Sequence, residues 1–207
     1  MIENNENLIS HLKDDKGLLR TRELEDAFRT IDRADFVAED YKEESYEDYP
    51  LPIGFGQTIS QPTTVAFMLE LLDLKKGEKV LDVGSGSGWT TALIAEIVKP
   101  QGKVWGVEII PELVEFGRKN LAKYKLPNVE IIQAKKQMGL SEHAPYDKIL
   151  VSAEAEDLPD ELIGQLKEGG IMVIPIRNTL YKLEKLAGSK IKETAFPGFV
   201  FVPLVVK

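Results

Sequence analysis

The chain contains no cysteine and only two histidines, His11 and His143, among its 207 residues. The lack of cysteine excludes disulfide frameworks, thiolate zinc sites and cysteine nucleophiles. Two histidines provide at most a pair of metal ligands, and a Ser-His-Asp hydrolase needs one of them. Because neither histidine has neighbours typical of such a site, we assign no role to either and expect no metal.

Long apolar runs and excess positive charge are also missing. The longest apolar run, Phe199–Val206, is far shorter than the roughly 18 residues needed to span a bilayer. Residues 1–16 are polar and acidic, unlike a secretory signal. With 26 Lys and Arg against 34 Asp and Glu, the net charge of −8 repels phosphate backbones. We therefore expect a cytoplasmic protein with no membrane or nucleic-acid partner; the oligomeric state stays open.

The composition is that of a folded protein, with 43% hydrophobic and 29% charged residues. The length predicts one domain over residues 1–207. We divide it into a helical cap at 1–50, a substrate and cofactor loop at 51–62, a core at 63–178 and C-terminal strands at 179–207.

Apolar spacing predicts the first helices. Four residues recur at the intervals of one helical face: Leu24, Ala27, Phe28 and Ile31. Three prolines and two glycines then interrupt the pattern between Tyr49 and Pro62, which predicts a loop. Pro62 suits the first turn of a helix that continues to Leu72.

From Lys79 onward, short β-rich runs alternate with helical segments, as in βαβ units. The predicted elements, in order, are Lys79–Val83, Trp89–Val98, Lys103–Val107, Pro111–Tyr124, Val129–Gln133, Lys148–Val151, Pro159–Leu166 and Ile171–Ile176. This alternation predicts an α/β fold, with a mostly parallel sheet covered by helices on both faces. Three final strands, predicted to be antiparallel, are Tyr181–Leu186, Lys190–Thr194 and Phe199–Val206.

A glycine-rich turn follows the first strand of this core. Its residues are Asp82, Val83, Gly84, Ser85, Gly86, Ser87 and Gly88. Glycines let main-chain N–H groups approach a ligand, and the carboxyl end of a strand is where open α/β sheets form their crevice. The alternative is a tight turn that binds nothing.

Glu108 ends the next strand, twenty residues after Gly88. A carboxylate there can accept hydrogen bonds from both ribose hydroxyls of a nucleotide, or it can be a solvated helix cap. The spacing alone allows NAD or S-adenosylmethionine. The G-x-G-x-G pattern preceded by Asp82 differs from the G-x-G-x-x-G of dinucleotide sites and favours a cationic ligand facing Asp82.

This arrangement resembles motif I of the Rossmann-like methyltransferases. The resemblance implies that the glycine turn holds the methionine part of S-adenosyl-L-methionine and that Glu108 holds the ribose. With Ile109 beside it, and with Gln133, Ala134 and Lys135 after the third strand, these residues form the expected cofactor site.

A second stretch, Asp48–Pro62, resembles the signature of the protein-L-isoaspartate O-methyltransferases. Further matches to that family, in chain order, are Arg33–Val37, Ala144–Ile149, Leu166–Pro175 and Phe201–Leu204. The family's fold is a Rossmann-like sheet with an altered strand order near the C-terminus. The resemblance implies methylation of the α-carboxylate of L-isoaspartyl residues in damaged proteins, which is a repair reaction.

In that family, the segment corresponding to Gln57, Thr58, Ile59 and Ser60 lies over the cofactor. The resemblance implies that Ser60 belongs to the active site and that the N–H groups of residues 58–60 hold the substrate backbone. Ser60 can also cap the helix that begins near Pro62. Gln57 either bonds the acceptor or stabilises the loop.

One position departs from the family pattern. Where the family has Gly-Asp-Gly, whose aspartate accepts a hydrogen bond from the adenine amino group, this chain has Ala134, Lys135 and Lys136. Lysine has only donors, so this bond, worth about 1.5–3 kcal/mol, is lost. Two other functions therefore stay open: a catalytically impaired S-adenosylmethionine-binding module, or a methyltransferase with a shifted acceptor such as a small molecule.

Overall fold

A computed structural model describes residues 2–135 and 137–205 of the chain. Lys136 of the departing triplet and Val206, the end of the last predicted strand, lie outside the described residues. Among the described residues, no helix is both long and apolar enough to cross a membrane.

The described residues form nine strands and six α-helices. The strands are β1 Leu51–Gly54, β2 Gln57–Ile59, β3 Lys79–Val83, β4 Lys103–Glu108, β5 Val129–Gln133, β6 Tyr146–Val151, β7 Leu166–Ile176, β8 Thr179–Lys185 and β9 Ile191–Pro197. The α-helices are α1 Asn5–Ser10, α2 Arg22–Thr30, α3 Pro62–Leu72, α4 Trp89–Val98, α5 Pro111–Leu121 and α6 Asp160–Gln165. Short π or 3₁₀ helices are His11–Asp15, Arg33–Phe36, Glu39–Glu44, Ser141–His143 and Ala187–Ser189.

Seven strands form one sheet in the order β5-β4-β3-β6-β7-β8-β9. The five strands from β5 to β7 are mutually parallel, whereas β8 and β9 are antiparallel to their neighbours. The predicted fold, a mostly parallel sheet with antiparallel C-terminal strands, is confirmed.

The sheet has an apolar cluster on each face. Along β3, Val80 belongs to the cluster that includes α2, α3, α4 and α5, whereas Leu81 and Val83 belong to the cluster that includes α6. The four apolar residues predicted to form one face of α2 are all buried against the first cluster. Helices therefore cover both faces, as predicted, and the N-terminal helices pack on α4, where the rings of Phe28 and Trp89 meet edge to face at 5.7 Å.

The predicted strand at Phe199–Val206 is wrong for the residues described. Residues 199–205 contribute one isolated bridge, from Pro203 to Glu154. Gly198, at φ +96°, turns the chain away from β9, and the N–H groups of Gly198 and Phe199 donate to the Asn178 carbonyl. The run is apolar because it covers the protein body: the ring of Phe199 stacks on Phe67 at 5.5 Å.

The predicted loop at 51–62 contains an antiparallel hairpin. In it β1 pairs with β2, with Leu51 opposite Ile59 and Pro52 opposite Thr58. The prolines concealed it, because proline is usually a sign against a strand; it is tolerated here in a strand of a separate two-stranded sheet. The tip has three consecutive residues with positive φ, Gly54, Phe55 and Gly56.

The two histidines lie in unrelated places. His11 is between two carboxylates, with Nδ1 2.9 Å from Asp15 and Nε2 3.2 Å from Asp48. His143 stacks on Trp105 with ring centroids 4.6 Å apart. Neither lines the cleft described below.

Candidate active site

A cleft of about 770 Å³, counting the part open to solvent, lies at the carboxyl end of the parallel strands. The floor is formed by residues 83, 84, 86, 107–110, 152 and 153, and the roof by the β1–β2 hairpin, residues 51–59. We name residues 134, 135 and 137–139 the outer wall, and residues 202–205 the tail. The roof residues that line the cleft are Ile53, Gln57 and Thr58.

The glycine turn rests on the end of β4. The N–H groups of Gly84 and Ser85 both donate to the Val107 carbonyl, at 2.9 and 3.1 Å. Gly84 has φ +79° and Gly88 has φ +85°, in the left-handed region that favours glycine. Gly84 and Gly86 line the cleft, as the sequence predicted, whereas Gly88 caps the start of α4.

The far side of the turn packs against α5 without side chains between them. A Cβ atom on Gly117 would lie 3.0 Å from the Gly86 carbonyl oxygen and 2.8 Å from Ile131 Cδ1. A Cβ on Gly88 would lie 3.2 Å from the Gly117 carbonyl oxygen. The position of the turn is therefore fixed by a main-chain contact with α5, which sequence analysis did not predict.

Glu108 lines the cleft and already binds the main chain around it. One carboxylate oxygen accepts from Gly86 N at 2.9 Å, and the other accepts from the N–H groups of Ile109 and Ile110 at 2.7 and 2.9 Å. A carboxylate accepts about four hydrogen bonds, so an acceptor position is left for a ligand. Both predicted residues of this pair, Glu108 and Ile109, are in the floor.

Asp82 does not line the cleft. It is completely buried, and its oxygens accept from Thr91 Oγ1 at 2.6 Å and from Ser152 Oγ at 3.4 Å. Burial raises the pKa of Asp82 to about 6, against the opposing effect of these two hydroxyl donors. Asp82 therefore does not face the cleft, where the sequence had placed it toward a cationic ligand.

The serines of the turn also face away from the cleft. Ser85 and Ser87 are buried, and Ser85 Oγ has no hydrogen-bond partner among the described residues. The Ser87 carbonyl accepts from the Asn120 side chain of α5 at 3.0 Å. These serines therefore belong to the packing beneath the turn.

Ser60 follows β2, beside the roof residue Thr58. It does not line the cleft, and neither does Ile59, which is buried in the core. The alternative that Ser60 caps α3 is wrong, because the cap is Gln61 and the N–H of Thr63 donates to Asp48 at 2.9 Å. Among the residues the structure describes, Ser60 Oγ has no hydrogen-bond partner, so it is available to a ligand.

Two of the residues predicted after the third strand, Ala134 and Lys135, are in the outer wall. Lys135 Nζ lies 3.4 Å from Glu142, and its side chain is 75% exposed. Gln133, opposite Glu108 in the sheet, is exposed and does not line the cleft. Buried Gln165 holds the wall from behind, accepting from Leu140 N and donating to the Met138 carbonyl, both at 2.8 Å.

Sequence analysis missed the contributions of β6 and the tail. Ser152 and Ala153 follow β6, and the Ser152 N–H donates to the Val83 carbonyl at 2.9 Å. The tail reaches the cleft because Glu154 and residues 202 and 204 exchange main-chain hydrogen bonds at 2.8 Å. The position of β6 next to β3 was a usable signal, since neighbouring parallel strands end at the same edge. The tail gave none, because its apolar run was read as a strand.

Comparisons with known proteins agree with one another. The family model described as protein-L-isoaspartate (D-aspartate) O-methyltransferase matches residues 3–207. A protein of that name from Methanopyrus kandleri is 45% identical over 205 residues, which are 97% of this chain and 90% of the relative. Protein-L-isoaspartate O-methyltransferase 2 of Archaeoglobus fulgidus is also 45% identical over 205 residues, covering 98% and 93%.

A solved structure shares the fold over nearly the whole chain. It is a crystal structure from Plasmodium falciparum, assigned as a protein-L-isoaspartate O-methyltransferase, in complex with S-adenosyl-L-homocysteine. Its TM-score to this chain is 0.86 at 28% identity, covering 98% of each chain.

Proposed function

This chain belongs to the protein-L-isoaspartate (D-aspartate) O-methyltransferase family, and from that premise we propose that it methylates the α-carboxylate of L-isoaspartyl residues in damaged proteins, using S-adenosyl-L-methionine. The observation that carries this proposal is the cleft in which the glycine turn, Glu108 and the roof residues Gln57 and Thr58 face one space. Repair of isoaspartyl sites follows when the methyl ester closes to a succinimide and hydrolyses.

The residues that line the cleft suit the chemistry of the cofactor. In our proposal, the turn at Gly84 and Gly86 holds the methionine part, Glu108 accepts from the ribose, and the outer wall faces the adenine. When bound, S-adenosyl-L-methionine supplies a methyl group on a positively charged sulfur.

The site needs no general base, because an isoaspartyl carboxylate is already ionised at pH 7. This agrees with a cleft that neither histidine lines. The residues of the roof and floor therefore act mainly by alignment, which is worth about 7–11 kcal/mol in favourable systems. We propose that Ser60 Oγ donates to the acceptor carboxylate and that main-chain N–H groups of residues 58–60 hold the substrate backbone.

The impaired module and the shifted acceptor are the competing functions. Lys135 favours the first, because no acid stands at that position of the outer wall. Residues 58–60 argue against a small acceptor, because the chain retains the loop with which the family is expected to hold a peptide backbone. The cytoplasmic location and the absence of a nucleic-acid partner stay predictions.

Paired peptides test the function. One peptide carries an isoaspartyl residue and the other the normal aspartyl residue, each incubated with methyl-labelled S-adenosyl-L-methionine, and base-labile methyl esters are counted. We expect label in the isoaspartyl peptide alone. Cofactor binding by calorimetry without any label would support the impaired module, and label in neither peptide but in a small carboxylic acid would support the shifted acceptor.

Ser60→Ala tests the assignment of the hydroxyl. We expect kcat to fall about tenfold or more, because one hydrogen bond to a charged group, worth about 1.5–3 kcal/mol, is lost. Ser10→Ala, on the exposed side of α1, is the matched control and should leave kcat unchanged. Unchanged turnover of Ser60→Ala on the isoaspartyl peptide would remove Ser60 from the site.

A further inference from the structure

Arg33 is a buried cation. It lies just after α2, its exposed fraction is 0%, and it is among the largest fully buried side chains of the chain. Buried charges usually have a counter-charge, because moving an ion out of water is unfavourable. The negative charge of Asp48 favours the ionised form of Arg33, but the hydrogen-bonding nitrogens face main-chain carbonyl oxygens.

Four carbonyl groups accept from this one side chain. Nη1 donates to Ser45 at 2.7 Å and to Glu47 at 3.1 Å. Nη2 donates to Tyr49 at 3.0 Å and to Ser60 at 3.2 Å. Burial lowers the pKa of Arg33 to about 10, so the side chain stays charged at pH 7 and its bonds are charge-assisted.

The two bonds of Nη2 meet at the base of the roof. Tyr49 is two residues before β1, and Ser60 is the first residue after β2. One nitrogen atom therefore ties both ends of the hairpin together at the point where it leaves the body of the protein. The tip, by contrast, has no such support, since Phe55 there is 58% exposed.

The guanidinium also lies beside the helix that follows the glycine turn. Its central carbon lies 5.5 Å from the ring centroid of Trp89, which begins α4 directly after the glycine turn. The hairpin also touches that turn: a Cβ on Gly86 would be 3.3 Å from Ile53 Cδ1. Arg33 thus contacts the elements that carry both halves of the cleft.

We propose that Arg33 is a positioning residue for methyl transfer. It fixes the distance between the roof and the glycine turn. This rests on the proposed function. Arg33 does not line the cleft. It acts through Ser60 and the hairpin, by fixing the main chain that carries the residues contacting the acceptor.

Arg33→Lys is the decisive variant, because lysine keeps the charge but loses the planar fork that reaches several carbonyl groups at once. A misplacement of about 1 Å can reduce turnover about 100-fold, so we expect kcat on the isoaspartyl peptide to fall about that much. The dissociation constant of S-adenosyl-L-homocysteine, measured by calorimetry, should change far less, because the floor is intact. Amide hydrogen exchange should become faster in β1 and β2 but not in β3 and β4.

Lys148→Met is the matched control. Lys148 is also a buried cation, and its Nζ lies 3.6 Å from Glu78. It is near the amino end of β6, whereas the cleft lies at the carboxyl ends of the parallel strands. We expect it to lower the unfolding temperature and to leave kcat and the exchange of β1 and β2 as in the wild type. If Arg33→Lys does not fold cooperatively, the uncharged Arg33→Gln replaces it with the same readouts and the same expectations.

Three results would overturn the proposal. One is a kcat for the Arg33 variant within about threefold of the wild type, well short of the effect expected from misplacement. Another is a parallel loss of kcat, ligand affinity and protection in β3 and β4, which is what a purely structural role predicts. The third is unchanged exchange in β1 and β2, which needs no turnover and so refutes the role of Arg33 even if the wild type labels no peptide and the proposed function fails.

Discussion

The carboxylates at the floor of the cleft are already hydrogen-bonded to other groups of the protein, whereas the lysine of the outer wall is exposed to solvent. In the floor, Glu108 accepts three main-chain N–H groups, and Asp82, just before the floor residue Val83, is buried between two hydroxyls. In the wall, Lys135 is mostly exposed and, among the residues described, pairs with Glu142 at 3.4 Å. A surface ion pair of this kind is worth little, about 0–1 kcal/mol.

This difference shows where the sequence is free to vary. The floor is built from main-chain contacts, so a substitution there disturbs several hydrogen bonds at once. The outer wall is held from behind by Gln165, which bonds main-chain atoms at residues 138 and 140 regardless of the side chains that face the cleft. A family acid can therefore be replaced by Lys135 without disturbing the wall itself.

Asp82→Asn should give the largest effect and tests whether the buried carboxylate next to the floor is shielded from water. Because the pKa of Asp82 is raised to about 6, the folded protein keeps a proton that the unfolded chain releases near pH 4. Wild-type stability therefore falls as the pH rises from about 4 to 6, then stays level. Relative to wild type, the variant should gain about 2 kcal/mol in unfolding free energy between pH 4 and pH 7, measured by urea titration.

For Asp147→Asn, the unfolding free energy relative to wild type should change with pH in the opposite direction. Burial raises the pKa of Asp147, but hydrogen bonds from Lys167 and the Lys79 N–H outweigh this and lower it overall. That variant should lose stability relative to wild type as the pH rises through the acid range. A flat difference for Asp82→Asn would mean that water reaches this part of the floor.

Gly117→Ala tests the contact beneath the glycine turn. Alanine in a helix is normally more stable than glycine by about 0.8–1 kcal/mol, but here its Cβ meets the Gly86 carbonyl. We expect a net loss of about 1.5 kcal/mol by denaturant unfolding, together with weaker binding of S-adenosyl-L-homocysteine.

Gly164→Ala in α6 is its control, because a Cβ there has nothing within 4 Å. This variant should be more stable than the wild type by up to about 1 kcal/mol and should bind the ligand equally well. Equal behaviour of the two alanine variants would show that the contact with α5 does not fix the turn.

Lys135→Asp should give the smallest effect and would make the outer wall resemble the family pattern. A restored acceptor should strengthen S-adenosyl-L-homocysteine binding about tenfold by calorimetry, near the lower limit for a charge-assisted hydrogen bond. Lys135→Met removes the charge without adding an acceptor and should bind as the wild type does. A gain shared by both variants would assign the effect to the lost positive charge.

Most of the sheet could be predicted from the sequence, because β3 to β6 are apolar runs separated by periodic helices and short turns. The hairpin and the tail could not. Pro52 argued against a strand where the structure has β1, and the apolar tail argued for a strand where its side chains cover the protein body. In both cases tertiary packing overrides the local pattern.

The candidate site was predicted where function depends on the main chain. Gly84, Gly86 and Glu108 line the cleft because a glycine turn and a strand end have one geometry. Asp82 and Gln133 do not, since the side of the strand on which a residue lies depends on the register of its neighbours. Arg33 appeared only as part of a motif, because its four carbonyl partners are up to 27 residues away.

The contact between Gly88 and Gly117 has a consequence for chimeric proteins. Because these two main chains touch, a cofactor turn exchanged with that of a relative would also need the matching α5. The exchanged segment would have to span at least residues 84–121 and keep Ile131, which packs against both glycines. Evolution faces the same restriction, so the turn and α5 should change as one inherited unit.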